Sequence, residues 1–149
     1  MSLSKERKVT LFTNLVRASH FDQMMYRRML QGKLIGFYHP GEGHLAPGVG
    51  ACSFLNQDDN LNPHHRGHGI PHMLSKNIPI KTYLAEHTGK TTGCCLGRSA
   101  FHFSYPDHKV YQMSGFIGHN FSPSVGWAWA AKRRDQGQVV MNCSGDGSY

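Results

Sequence analysis

Near its C-terminal end the chain runs Val139-Val140-Met141 and then, three residues on, Gly145-Asp146-Gly147-Ser148-Tyr149. Three successive apolar residues without polar alternation suit a strand covered on both faces, as in a parallel sheet. The preceding stretch, Ser122 to Arg134, reads as a helix, with Ser122 as N-cap and Pro123 at the first helical position. Its middle, Val125-Gly126-Trp127-Ala128-Trp129-Ala130-Ala131, is apolar nearly all round, which predicts burial between layers. Lys132, Arg133 and Arg134 follow where cations complement the helix dipole. Helix, buried strand (138–144) and glycine turn, in that order, predict an α/β layered domain with its site at the carboxyl end of the strand.

The remaining segments fit around that unit. Lys5 to Gln31 has the period of one long helix, with Leu11, Leu15, Ala18, Phe21 or Asp22, Met25 and Met29 on one side and Gly32 as its stop. The stretch from Phe37 to Gly50 is rich in glycine and proline and reads mostly as loop, passing into a short buried helix from Ala46 to Leu55. Gln57 to Asn62 reads as a polar turn. Ile70 to Ser75 and Ile80 to His87 read as short helices separated by Asn77 and Pro79, and Thr88 to Ser99 as a glycine-punctuated loop.

Bulk properties narrow the function classes. The 149 residues suffice for one core, and a mean hydropathy of −0.45 suits a soluble globular chain. No apolar run is long enough to cross a membrane, and Met1 to Lys8 lacks a secretory signal. These features predict no membrane role and a cytoplasmic location, or the mitochondrial matrix if a transit peptide was removed from a eukaryotic protein. The formal net charge of +7 points to an anionic ligand or partner. Its cations are dispersed and no nucleic-acid motif is present, so no nucleic acid is expected. Cys52, Cys94, Cys95 and Cys143 have neither disulfide-framework nor zinc-clamp spacing and read as reduced, mostly buried thiols.

Five segments carry chemistry. The Gly145-Asp146-Gly147 turn lets backbone N–H groups approach a phosphate, and Asp146 offers a hard oxygen of the kind magnesium takes; a tight structural turn is the alternative. In Asn62-Pro63-His64-His65-Arg66-Gly67-His68-Gly69, the Arg66 guanidinium suits phosphate, and His64, His65 and His68 leave zinc as a second reading. Phe37-Tyr38-His39-Pro40-Gly41-Glu42-Gly43-His44 has the composition of a site-lining loop. Gly93 to His102 includes Arg98 and His102, which could meet an acidic substrate or a partner subunit. The glycines of Ser114-Gly115-Phe116-Ile117-Gly118-His119-Asn120 bracket two apolar residues and let the backbone lie against a flat ring.

Taken in order, these segments resemble the α subunit of the thiamine-diphosphate-dependent 2-oxo acid dehydrogenases, the first component of the pyruvate, branched-chain 2-oxo acid and acetoin dehydrogenase complexes. The resemblance rests on His65-Arg66-Gly67-His68-Gly69, Gly93-Cys94 with Gly97-Arg98, Gly115 with Ile117-Gly118, the Pro123-led helix ending Ala130-Ala131-Lys132, and Gly145-Asp146-Gly147. It implies the thiamine-diphosphate-binding α/β fold, a parallel sheet flanked by helices. Residues 1–35 then form an N-terminal helical segment, and 36–149 the N-terminal portion of that domain, read as truncated after the glycine turn.

The resemblance also implies roles. His65, Arg66, Gly115, Ile117, Gly145, Asp146, Gly147 and Ser148 would hold thiamine diphosphate, with Asp146 on Mg2+. His39, His65 and His102 would be the catalytic imidazoles, moving protons near neutral pH. The implied partners are a β subunit in a heterotetramer of two α and two β chains, the dihydrolipoyl acyltransferase core of the complex, and a small 2-oxo acid or acetoin as substrate. The implied activity is oxidative decarboxylation or acetoin cleavage, with the isolated chain inactive. A truncated non-catalytic subunit and a transketolase-like enzyme are the alternatives.

Overall fold

The computed structural model describes residues 3–99, 102–111 and 114–148, with only the backbone of His68. Helix α1 spans Lys5–Leu30. Ser4 caps it by accepting the Arg7 N–H at 3.2 Å. Its C-terminus closes with Gly32 N–H donating to Met29 O and Lys33 N–H to Arg28 O, both at 2.9 Å, while Gly32 takes φ +66°. Ala18, Phe21, Asp22 and Met25 share its buried face.

Helix α2 (Leu45–Cys52) packs against α1 and against the short α3 (Ile70–Met73). The approach of α2 to α3 is close at Gly48, where an added Cβ would stand 2.9 Å from Pro71 Cβ. A 3-10 turn over Arg66–Gly69 leads into α3, another over Leu74–Lys76 leaves it, and α4 follows over Ile80–His87. The core joins these elements through Phe21, Met25, Met73, Tyr83 and Phe103, with Tyr83 edge-on to Phe21 at 5.2 Å and to Phe103 at 5.1 Å.

Strand β1 (Asn60–Asn62) and strand β2 (Val140–Asn142) pair in parallel, with Leu61 opposite Met141. On its other side β1 bridges to Val110, through Leu61 N–H to Lys109 O at 2.8 Å and Tyr111 N–H to Leu61 O at 2.9 Å. The helix-rich chain with a small parallel sheet is compatible with an α/β fold.

Four expectations need correction. The strand read as buried over 138–144 is β2, only half-buried, with Val139 before it 56% exposed, because a two-stranded sheet leaves it a single strand neighbour among the described residues. Asn120, not Ser122, stands at the N-cap of the helix over Phe121–Arg133. The end of the polar stretch 57–62 is a strand, because Asn60 and Asn62 flank a fully buried Leu61 whose partner lies far along the chain. Helix α5 (Phe121–Arg133) is not buried between layers. Only Ser124 and Ala131 are buried, while Val125 and Trp129 are 68% and 62% exposed. The helix lies against β2 on one side, and among the described residues nothing covers the other.

Candidate functional site

Both parallel strands run toward one end of the sheet, and the chain opens into loop at each: Pro63-His64-His65 after β1, Ser144 to Ser148 after β2. Polar side chains hold these strand ends to the start of α5. Asn62 Nδ2 donates to Asn120 O at 3.2 Å, Ser124 Oγ donates to Asn120 O at 2.7 Å, and Asn120 Nδ2 donates to Cys143 O at 3.0 Å. A parallel sheet commonly places its ligand outside the carboxyl ends of its strands. Here a cleft of about 480 Å³ lies there.

The cleft draws on five separated segments: Phe37 and His39; Pro63, His64 and His65; His102; residues 114–118 and Asn120; and Ser144, Gly145, Gly147 and Ser148. The first is placed by a buried carboxylate. Asp22, 5% exposed on α1, accepts the Tyr38 hydroxyl and the Gly41 N–H, each at 2.7 Å. Gly67 N–H then donates to His39 O at 2.9 Å, and Gly41 packs so closely on Gly67 that a Cβ on it would come within 3.0 Å of Gly67 Cα. The His39 and His65 rings meet edge-on at 5.4 Å across this crossing.

On the far side, the His102 ring packs over Gly115, where a Cβ would stand 3.1 Å from its Cε1. Gly118, at φ +77°, lies against Ser148, so the 114–118 segment abuts the 3-10 turn Asp146–Ser148. Eight of the ten sequence-predicted site residues thus line one cleft: His39, His65, His102, Gly115, Ile117, Gly145, Gly147 and Ser148. Arg66 and Asp146 do not line it, and both are exposed. Ile117 is 81% exposed at the rim.

Electrostatics distinguish the imidazoles. Burial, reinforced by the Arg66 cation, holds His39 below the usual histidine range. His65 is lowered by burial, then by His39, Arg66, His102 and His44. His64 is pulled down to about 4 by burial, then by His65, His72, His44 and Arg66. These three rings are therefore neutral at pH 7, and the nearby positive charge is Arg66.

His64 is the residue the sequence reading passed over as a cofactor contact. Its Nδ1 accepts the Arg66 N–H at 3.2 Å, which leaves the ring proton on Nε2. That Nε2 faces the glycine turn, 3.5 Å from where a Gly145 Cβ would be. Its place beside Arg66 in the His-rich octet was the available signal. Zinc finds no support at this position: the His64 and His65 rings lie tilted at 4.2 Å, and among the described residues no histidine joins a metal-ligand cluster. The His68 side chain and Tyr149 lie outside the described residues. Arg98 is exposed and stands away from the cleft lining.

Comparison with known proteins adds an independent finding. The model of the family described as "Dehydrogenase E1 component" matches residues 14–149. The chain is 30% identical over 149 residues to the α subunit of acetoin:2,6-dichlorophenolindophenol oxidoreductase from Bacillus subtilis, covering 99% of this chain and 44% of that protein. It is 33% identical over 147 residues to the chloroplastic pyruvate dehydrogenase E1 component subunit alpha-3 of Oryza sativa subsp. japonica, covering 98% of this chain and 34% of that one. The human mitochondrial 2-oxoisovalerate dehydrogenase subunit alpha is 24% identical over 147 residues, with 98% of this chain and 32% of that protein covered. The chain spans less than half the length of each of these relatives.

Proposed function

The chain belongs to the dehydrogenase E1 component family, and from that premise we propose that it forms part of the thiamine diphosphate site of an α subunit acting on a small 2-oxo acid or on acetoin. The observation that carries this reading is the cleft itself, which gathers the five segments from positions far apart in sequence at the carboxyl ends of two parallel strands. Its volume of about 480 Å³ falls in the ~300–1,000 Å³ range of small-molecule clefts.

The residues suit the cofactor's parts. Gly145 and Gly147 carry no side chain to hold a diphosphate off the backbone, and neutral His64 presents an N–H toward the same turn. Arg66 supplies the positive charge from the exposed side of its turn. Gly115, Phe116 and Ile117 offer a flat, largely apolar ledge for a ring. When bound, thiamine diphosphate supplies the electron sink for breaking a bond next to a carbonyl. The chain's own part is to hold that group and to place His39, His65 and His102 beside it for proton transfer. His39 and His65, held neutral near pH 7, are able to accept a proton there.

Asp146 would contribute one oxygen to Mg2+. A magnesium site needs several oxygen ligands, and no carboxylate lines the cleft among the described residues. The remaining coordination would fall to phosphate oxygens, water and groups beyond this segment. A β subunit and an acyltransferase core are the partners this reading implies.

The test is thermal unfolding with thiamine diphosphate and Mg2+, on the chain alone and paired with a family β subunit. A ligand at about a hundred times its dissociation constant stabilises by ~2.7 kcal/mol, so a rise of several degrees is expected in the paired protein. Arg66→Ala should weaken cofactor binding at least tenfold. No shift in the paired protein would overturn the cofactor assignment; an unchanged affinity in the variant would remove Arg66 from it.

A further inference from the structure

Away from the cleft, α4 ends in a buried carboxylate around which the next loop is wound. Glu86 is 0% exposed. Its Oε2 accepts N–H groups from Cys95 at 2.7 Å and Gly97 at 3.0 Å, and its Oε1 accepts the Ser99 N–H at 2.7 Å. The winding is tight: a Cβ on Gly93 would stand 2.4 Å from Glu86 Oε2. It brings two adjacent thiols to the same oxygen, with Cys94 Sγ 3.9 Å from Oε2. One ligand atom each from Glu86, Cys94 and Cys95 lie within 4.8 Å of one another.

A second observation points into the cluster. Tyr105 is 6% exposed, and its buried Oη has no hydrogen-bond partner of ordinary geometry. That phenol lies beside Cys94, which raises the phenol's pKa, whereas Tyr105 acts to lower that of Cys94. Leaving a buried hydroxyl without a partner is destabilising. A neutral thiol is a poor acceptor for it, whereas a metal-bound thiolate is a good one. Outer groups that hydrogen-bond to a ligand in this way are a regular part of metal sites.

We propose that Glu86, Cys94 and Cys95 form a binding site for a thiophilic d10 divalent cation such as zinc or cadmium, with Tyr105 donating its O–H to the Cys94 thiolate. The ligand set suits the ion: two soft sulfurs and one carboxylate oxygen, leaving a fourth position for water or a small ligand. Binding forms two metal–sulfur bonds and releases the two thiol protons to solvent; no electron moves. Affinity should therefore climb with pH, by about ten- to a hundredfold per unit as one or two protons leave.

The test is a cadmium titration of the chain, read by thiolate-to-metal charge-transfer absorbance. One equivalent should bind, and Cys94→Ser and Cys95→Ser should each weaken binding at least tenfold. Cys52→Ser and Cys143→Ser should leave it unchanged. A second measurement covers the case in which a variant fails to fold. Zinc added to the unmodified chain should protect Cys94 and Cys95, but not Cys143, from iodoacetamide, as read by peptide mass spectrometry. The proposal is overturned if the chain takes up no cadmium, if the signal follows Cys52 and Cys143, or if zinc leaves Cys94 and Cys95 as reactive as before.

Discussion

His64 is kept neutral by burial and by four cationic or imidazole neighbours, at about 4 against an ordinary 6.5. A base whose folded pKa lies below its unfolded one binds more protons unfolded, so it favours unfolding as the pH drops. The fold should hold its full stability above about pH 6.5 and lose it progressively toward pH 4. His64→Gln should flatten that limb, seen as a smaller fall in Tm between pH 7 and pH 4.5. His39 and His65 are shifted the same way and will keep part of the slope. An identical slope in the variant would show that His64 is not the group responsible. Asp22 is a second residue with a separable role, because it ties the His39 loop to α1 through Tyr38 and Gly41. Asp22→Ala would strand a buried hydroxyl and a buried N–H, and is expected to cost ~2–4 kcal/mol in urea unfolding. The sequence placed position 21 or 22 on the buried face of α1 by its period, but periodicity carries no word on which buried carboxylate will find donors. His64 was passed over for a related reason: its role depends on which ring nitrogen the backbone occupies, a property of the fold.

At the scale of elements, the parallel pair depends on a cation with no counterpart in the strands themselves. Lys76 is 0% exposed, and its Nζ donates to Asn56 O at 2.7 Å, Gln57 O at 2.6 Å and Asp59 O at 2.8 Å. Asp59 in turn accepts the Asn56 N–H and the Val139 N–H, at 2.7 and 2.8 Å. The turn before β1 is thereby folded from below by Lys76 and fastened to the residue preceding β2. Lys76→Met should take a donor from three carbonyls, of which Asn56 O keeps the Asp59 N–H, cost ~2–4 kcal/mol, and release amide protons of 59–62 and 139–142 to exchange ahead of those in α1. Uniform loss of protection across α1 and the strands would instead mean that Lys76 supports the whole core equally. This arrangement also explains what could be read in advance. Helices α1 and α4 follow from period and stops, which are local, whereas α5 starts at Phe121 with Asn120 at its N-cap and no side-chain capping bond, so Ser122 lies inside the helix it was expected to cap. Strand β1 has three residues and one apolar side chain, and the tie from Asp59, just before it, to Val139 spans 80 residues, so no local signal announces it. The apolar surround of α5 argued for burial, yet side-chain character states a preference for cover without supplying it.

For the whole molecule, the decisive property is the uneven supply of chemical groups at the cleft. It is furnished with imidazoles, glycines and apolar side chains but, among the described residues, with no carboxylate. On the proposed reading, full coordination of Mg2+ would call for such groups, and the chain spans 44% of the B. subtilis relative and 34% of the rice one. Reading the cleft as a half-site leads to a direct expectation. With saturating thiamine diphosphate and Mg2+, the chain by itself should release no carbon dioxide from pyruvate or 2-oxoisovalerate, and should not cleave acetoin, above a control without protein. Adding a family β subunit to this chain should still leave turnover at least ~10³-fold below that of a complete α and β pair, the loss that follows removal of one preorganised catalytic group. Carbon dioxide release by the chain alone would show that imidazoles suffice at this cleft and that the half-site reading is wrong. Cofactor binding without turnover would locate the deficit in the chemistry, because the residues that hold the cofactor would then be shown to work in the absence of those that use it.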